Sequence, residues 1–355
     1  MAKQPPPTKR PAKRPTSFEV AELAGVSRST VSLVLNGVPK ANISQATQQR
    51  VLEAARALGY VPSAAGRTLA SGRTRTLGLL ICHAEHLRVD AFIPQALFGL
   101  NQVSQRYGFK VIVEAVEEPR PGAYLELVRA KQVDGLVVLN PRRGDAQLSE
   151  LAREGFPLVI MGASEIPEVC TVSSRDNTLG ARRAVTHLIA LGHTRIAHIS
   201  YGGLEYRGAE ERFEGYRRAL EAAGLPFEGA LVREGDYSAE SGFSAMASLL
   251  EAGAGFTALF ASNDTVALGA MAALRERGLR IPEDVAVVGY DDIPLAAFAA
   301  PPLTTVRSPA LEHGRLAGEM LVSLIRGERP ERTQVDFELE LVVRASCGAA
   351  SPPRR

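Results

Sequence analysis

Cysteine is scarce in this chain: only Cys82, Cys170 and Cys347 occur in 355 residues, and no two stand in a CxxC spacing. That excludes a disulfide framework and a structural zinc site, and points to reduced thiols in a cytoplasmic protein. No apolar run is long enough to span a bilayer. Ahead of residue 16 stand basic residues and five prolines without an apolar stretch, which reads as neither signal peptide nor membrane anchor. Also missing are GxxxxGK(S/T), a GxGxxG after the first strand, GxSxG and HExxH, so the usual signatures of nucleotide sites, serine hydrolases and zinc proteases give no support for an enzyme. What is plentiful is apolar material: 45% of residues are hydrophobic and 23% charged, enough for two or three compact units.

Charge is present but unevenly placed. Residues 1–75 hold twelve Lys and Arg against three acids, a net +9, so the rest of a +2 chain carries −7. A basic head on an acidic body suits a nucleic-acid partner. Residues 1–16 form a Pro- and Lys/Arg-rich tail too polar to fold, either solvated or an arm along phosphate. Within the head, Val26 to Gly37 reads VSRSTVSLVLNG. Gly25 supplies a turn, Ser27 a helix cap, and a helix starts at Arg28. On a 3.6-residue period Val31, Val34 and Leu35 share the packing face, while Ser29, Ser32 and Leu33 lie opposite, with Arg28 at the border. Ser17 to Ala24 gives a helix before it, and a third runs from a cap at Ser44 to a stop at Gly59. These three helices, residues 17–62, close a minimal core. By periodicity alone this is either a plain α-hairpin or a helix-turn-helix.

Residues 63–75 are a basic linker with one marginal helical stretch, Ser63 to Ala70, weakened by Gly66. From Thr76 the pattern changes to short apolar runs: TLGLLI, KVIVEA, DGLVVL, PLVIM, RIAHI, FTALFAS and DVAVVGY. Helical patterns such as Ala181 to Ala190 and Arg212 to Ala223 separate them. Strands covered on both faces by helices read this way, so the fold class is α/β with two parallel-sheet lobes over residues 76–347. About a dozen strands are expected. Ligands in such sheets bind beyond the carboxyl ends of the strands, where a cleft between lobes gathers both sets.

The stretches EVAELAGVSRSTVSLVLNG, RVLEAARALGYVPSAAGRTLASGRTRTLGLL, DNTLGARRAVTHLIALGHTRIAHI and FASNDTVALGAMAALRERGLRIPEDVAVVGYDD resemble the lactose-repressor (LacI/GalR) family of bacterial regulators. PPLTTVRSP and ELELVVRAS extend the resemblance to about Gly348. It implies a DNA-reading headpiece, a hinge helix and a core like periplasmic sugar-binding proteins, with three crossovers. The lobes would comprise residues 76–173 with 308–333, and 174–307 with 334–347, before a tail at 348–355. A homodimer on a roughly palindromic double-stranded operator is implied, answering to a small sugar or related metabolite, with no cofactor and no membrane. The tail has no leucine heptad for a tetramer.

Carried over by position, Arg28, Ser29 and Leu33 face base edges, and Ser27, Thr30, Ser32 and Asn36 contact backbone or support the helix. In the hinge, Arg67 and Leu69 join them, Leu69 as a minor-groove wedge. Leu33 departs from the family, where Arg is usual; opposite a thymine methyl it would shift preference away from guanine. Pocket positions are Arg212, Asn263 and Asp291, with Tyr237 as an aromatic platform for a sugar ring. Asp264 and Asp292 read as structural acids, and Arg175 with Asp176 as either an ion pair or ligand contacts. The stretch ICHAEHLRVDAF is unusual for the family: Cys82, His83, Glu85 and His86 cluster, but no second ligand group stands elsewhere, so Cys82 is assigned to pocket lining and no metal is assigned. The alternatives are a core that only dimerises, or a solute-binding module.

Overall fold

The computed structural model describes residues 15–36, 43–63, 66, 68, 71–116, 123–141, 144–162, 164–167, 169–174 and 177–349. The chain divides into two compact units, 1–74 and 75–355.

In the first unit, α1 spans Ser17–Ala24, α2 Arg28–Leu35 and α3 Gln45–Leu58. Each start is capped. The Glu19 carboxylate accepts from the Thr16 amide at 2.6 Å and hydroxyl at 3.0 Å. Ser27 Oγ accepts from the Thr30 amide at 3.1 Å, and Ser44 Oγ from that of Thr47 at 3.3 Å. Such caps satisfy amides that have no partner inside the helix. Gly25 ends α1 and Gly59 ends α3, both at φ 63. Val20, Ala21, Ala24, Val31, Val51, Ala54 and Ala55 form the core. With four alanines among seven, the helices approach closely, and Val34 and Leu35 close its edge half-buried.

The second unit holds two six-stranded sheets. The first is built from β1 Thr76–Ile81, β2 Lys110–Ala115, β3 Gly135–Leu139, β4 Leu158–Met161, β5 Cys170–Ser174 and β11 Gln334–Phe337, in the order β11-β5-β4-β3-β1-β2. All its pairings are parallel. The second comprises β6 Ile196–Ser200, β7 Val232–Glu234, β8 Ala258–Ala261, β9 Ala286–Asp291, β10 Thr304–Arg307 and β12 Glu340–Val342, in the order β12-β10-β9-β8-β6-β7. Only β10 with β12 is antiparallel. Central strands β1, β3, β4, β6, β8 and β9 are buried along their whole length, the reason they read as unbroken apolar runs.

Helices cover the sheets, and two pairs meet backbone to backbone. A Cβ on Gly99 would lie 2.0 Å from the Leu311 carbonyl oxygen, and one on Gly314 1.8 Å from that of Ala96. These glycines lock helix Phe92–Tyr107 onto helix Ala310–Ile325 in the first lobe. Gly242 and Gly269 do the same for helices Ala239–Glu251 and Asp264–Glu276 in the second, with 2.2 Å and 1.8 Å to the Val266 and Ala239 carbonyls.

The chain crosses between lobes after β5, after β10 and after β11. The last crossing corrects the expected boundary at 333/334. Gln334–Phe337 pairs with β5 and extends the first sheet, because the β5 edge takes a parallel partner there; only Glu340–Val342 joins the second lobe. Among the described residues no helix is long and apolar enough to cross a membrane.

Candidate functional site

On α2 the cap leaves one face uncovered. Ser27, Arg28, Ser29 and Leu33 are exposed, Leu33 at 38%, whereas Val31 beneath them is 1% exposed. Thr30 and Ser27 share a hydroxyl contact of 2.9 Å, and Asn36 Nδ2 donates to Ser32 Oγ at 3.1 Å. The side chains of Thr30, Ser32 and Asn36 are therefore tied to the helix, and those of Arg28, Ser29 and Leu33 project from it. In the segment expected to be a hinge, Gly66 and Thr68 have helical backbone; Arg67 and Leu69 lie outside the described residues.

In the core, strand order reverses at β1/β3 in the first sheet and at β6/β8 in the second. Side chains just past the carboxyl ends of strands line one cavity between the lobes, of ≈ 70 Å³, as strand order requires. From the first lobe come Asp90, Phe92, Asn140, Met161, Ser173 and His313; from the second, Asn177, Tyr201, Arg212, Tyr237, Asn263 and Asp291. Four of the five pocket residues expected from sequence thus stand together.

Arg212 is the centre of the second-lobe wall. It donates through Nη2 to Asp291 Oδ1 at 3.1 Å, through Nη1 to the Ser262 carbonyl, and through Nε to Asn177 Oδ1 at 3.4 Å. Its guanidinium lies 3.6 Å from the Tyr290 ring centre and 4.8 Å from that of Tyr201. Burial opposes the charge, but Asp291 and the tyrosines outweigh it and hold the pKa above the ordinary arginine range. For Asp291 burial dominates over Arg212 and pushes the carboxyl up to about 6. Asn263 caps helix Asp264–Glu276, its Oδ1 accepting from the Val266 amide at 2.8 Å. Backbone strain gathers here as well: Asn140 (φ 50), Tyr237 (φ 69) and Asp291 (φ 112) are non-glycine residues at positive φ, a cost that persists where a site is built.

Behind the wall, Asp264 is fully buried and accepts from Thr305 Oγ1 at 2.6 Å and the Ile293 amide at 2.9 Å. Asp292 pairs with Arg307 at 2.8 Å and Arg344 at 2.6 Å. Both are structural acids.

Several residues were missed by sequence reading. Asp90 accepts from the Phe92 amide at 2.9 Å, and burial, then the Asp291 charge, push it up to about 7. Asn140 Nδ2 reaches the Tyr237 hydroxyl across the cleft at 3.4 Å. His313 bonds through Nδ1 to the Pro309 carbonyl at 2.9 Å, and burial lowers it to about 4. Asn140 had a signal, since it directly follows an apolar strand run.

Cys82 is not brought to the cavity. It is 6% exposed within an apolar cluster, with the Tyr124 hydroxyl donating to its sulfur at 3.5 Å. Helix Ala84–Val89, which follows it, carries His86 onto Tyr237 of the cavity wall, ring centres 3.6 Å apart. Arg175 and Asp176 lie outside the described residues. Among the described residues no group of three or more His, Cys, Asp or Glu is arranged to hold a metal.

Residues 18–63 match the bacterial regulatory proteins of the lacI family, and residues 185–347 the periplasmic binding protein-like domain. The HTH-type transcriptional regulator CelR of Thermobifida fusca is 39% identical over 341 residues, 94% of this chain and 98% of that protein. A solved CelR–cellobiose complex superimposes with a TM-score of 0.70 at 37% identity, covering 94% of this chain and all of that one. The lac repressor dimer bound to operator and the anti-inducer ONPF gives 0.81 at 30% identity, covering 94% and 99%.

Proposed function

Because the chain belongs to the lacI family of bacterial regulatory proteins, we propose that it represses transcription from a roughly palindromic operator as a homodimer, and that a sugar in the interlobe cleft sets its operator affinity. The observation that carries this is the cleft itself, joined in one chain to an uncovered helix-turn-helix. Arg212, Asn263 and Asp291 offer a guanidinium, an amide and a carboxylate at fixed positions, and Asp90 and Asn140 add an acceptor and an amide from the opposite lobe. Hydroxyl groups, each donor and acceptor at once, complement such a set. The CelR complex with cellobiose gives the same class of ligand for a relative. Regulation rather than catalysis, in the cytoplasm, completes the reading.

The mechanism is a two-state one. A ligand held by both walls favours the closed lobes over the open ones by its differential affinity, and that difference is delivered to the headpiece. There α2 reads bases through Arg28, Ser29 and Leu33. An apolar Leu33 makes no bidentate hydrogen bond to guanine, but it packs against a thymine methyl.

Selection of sites from random DNA by the purified protein, with and without cellobiose, tests the whole reading. Expected are a palindromic site, binding that falls steeply with salt as phosphate contacts require, and an affinity altered by the sugar. Substituting Leu33→Arg moves the preferred base toward guanine at one symmetric pair of positions. An unchanged preference at every base removes Leu33 from the reading face.

A further inference from the structure

We infer that the core carries a DNA-binding surface of its own: Arg106, Lys110, Lys131 and Arg326, at the amino edge of the first sheet, hold backbone phosphates outside the bases that α2 reads. This rests on reading the chain as a DNA-binding regulator. Strands β1, β2 and β3 are neighbours and run parallel, so their first residues share one edge. Thr76 of β1 stands opposite Lys110 of β2, and the Arg75 carbonyl accepts from the Lys110 amide at 2.9 Å. Arg106 lies in the last turn of helix Phe92–Tyr107, just before β2; Lys131 follows helix Ala123–Arg129, just before β3. Arg326 ends helix Ala310–Ile325. One ring gathers two of these groups, since the guanidiniums of Arg106 and Arg326 lie 5.5 Å and 4.6 Å from the centre of Tyr107. All four side chains are exposed, as is Arg75 beside them. Among the described residues none of the four makes an ion pair. The nearby Asp134 carboxylate accepts from the Arg75 amide at 2.8 Å.

This corner is an exception in its surroundings. From residue 76 on the chain carries −7, and the same edge of the second lobe matches its cations with acids. There Arg195, before β6, pairs with Glu228 at 2.7 Å, Arg277, after helix Asp264–Glu276, with Glu251 at 2.8 Å, and Arg280, before β9, with Asp284 at 2.7 Å. A cation at a helix end offsets that helix's dipole in either lobe. Several unmatched cations on adjoining strand starts repel one another, a cost that an anion spanning them removes. DNA is the anion this chain brings near. Arg75 is the first residue of the core unit, and the chain from Gly59, which ends α3, reaches on the order of 50 Å to it at full extension. A headpiece seated on its site therefore keeps the corner within that distance of flanking phosphates. The cavity lies beyond the opposite, carboxyl ends of the same strands, so a ligand there leaves this surface uncovered.

Binding of the full chain to two operator fragments tests this: the selected palindromic site cut at its outer bases, and the same site with about ten base pairs, one helical turn, of arbitrary sequence on each side. Wild type is expected to hold the longer fragment about tenfold tighter at about 50 mM salt and to lose that advantage by about 200 mM, because each added phosphate contact steepens the salt dependence by about one. Lys110→Gln with Lys131→Gln should cut the advantage to about threefold, and substitution of all four cations by Gln should abolish it, with the short fragment bound as by wild type. Neither lysine makes a side-chain hydrogen bond or ion pair among the described residues, so the fold does not depend on them. Arg218→Gln with Arg277→Gln removes the same charge from the second lobe and should leave the advantage whole. Equal affinity of wild type for both fragments, or the same loss in the second-lobe variant, overturns the surface and leaves the operator reading standing. Failure to select any site overturns the operator reading, and the surface with it.

Discussion

On the second-lobe wall of the cleft, Arg212 holds Asp291, a backbone carbonyl and Asn177 at once, Asn263 caps a helix, and Asp264 and Asp292 brace the strand ends behind. The first-lobe wall is braced at its base, where Ser173 donates to Asp336 and His313 bonds to the Pro309 carbonyl. Above that base it is tied more loosely: Asp90 accepts one backbone amide, Asn140 makes one long hydrogen bond across the gap, and helix Ala84–Val89 before Asp90 has no fully buried residue. On the proposed reading of the cleft, the difference assigns recognition to the braced side and adaptation to the other. Groups held in advance bind without ordering cost, whereas a loosely held wall closes on whatever is presented.

The comparison is broken most violently on the braced side. Asp291→Ala leaves a buried guanidinium without its anion, a loss of about 3–5 kcal/mol. Urea unfolding should show it in the core, and titration of operator complexes with cellobiose should show no response while operator binding persists. An intact response would remove Asp291 from the site. One layer back, Thr305→Val takes a donor from the buried Asp264 carboxyl, worth about 1–3 kcal/mol, read by the same unfolding curve; no loss would show that Asp264 does not depend on it.

The adaptable side gives a smaller effect of opposite sign. Asp90 in the folded chain titrates at about 7, against 3.8 for an ordinary aspartate. The folded state therefore keeps a proton that the unfolded state has released, so stability from this group falls as pH rises from about 4 to about 7, and the full penalty stands above that. Asp291, raised to about 6, acts in the same direction. Asp90→Asn should raise the melting temperature at pH 8 by a few degrees, with the gain shrinking toward zero as pH falls to 4. A pH-independent gain would assign the effect to packing instead of charge.

The same asymmetry explains what was legible in the sequence. Second-lobe positions Asn263 and Asp291 stand in the long stretches that carry the family resemblance, and Arg212 was carried over with them by position; Asn263 also marks a helix start by its cap, whereas the helix of Arg212 begins at Arg207 without a side-chain cap. The headpiece was legible for the same reason: Ser27, Ser44, Gly25 and Gly59 mark starts and stops chemically. First-lobe contributors carry no pattern. Asp90 and His313 lie at a loop and a helix start that periodicity does not distinguish from solvent, and only the tertiary fold brings them opposite Arg212. Cys82 misled because a residue just past a strand can turn either way; its thiol turned under helix Ala123–Arg129. Strands β5, β7, β10, β11 and β12 were not singled out as apolar runs. They are three to five residues long or polar, and lie at or next to sheet edges.

The glycine-locked helix pairs have a consequence for redesign. With Gly99, Gly314, Gly242 and Gly269 admitting no side chain, each lobe behaves as a stiff plate whose shape is closed to mutation. On the short helix Ala84–Val89, the exposed Glu85, Leu87 and Arg88 are open to it. A sensor built on this chain to answer a new ligand would be diversified at those positions, with both plates and the headpiece left as they are.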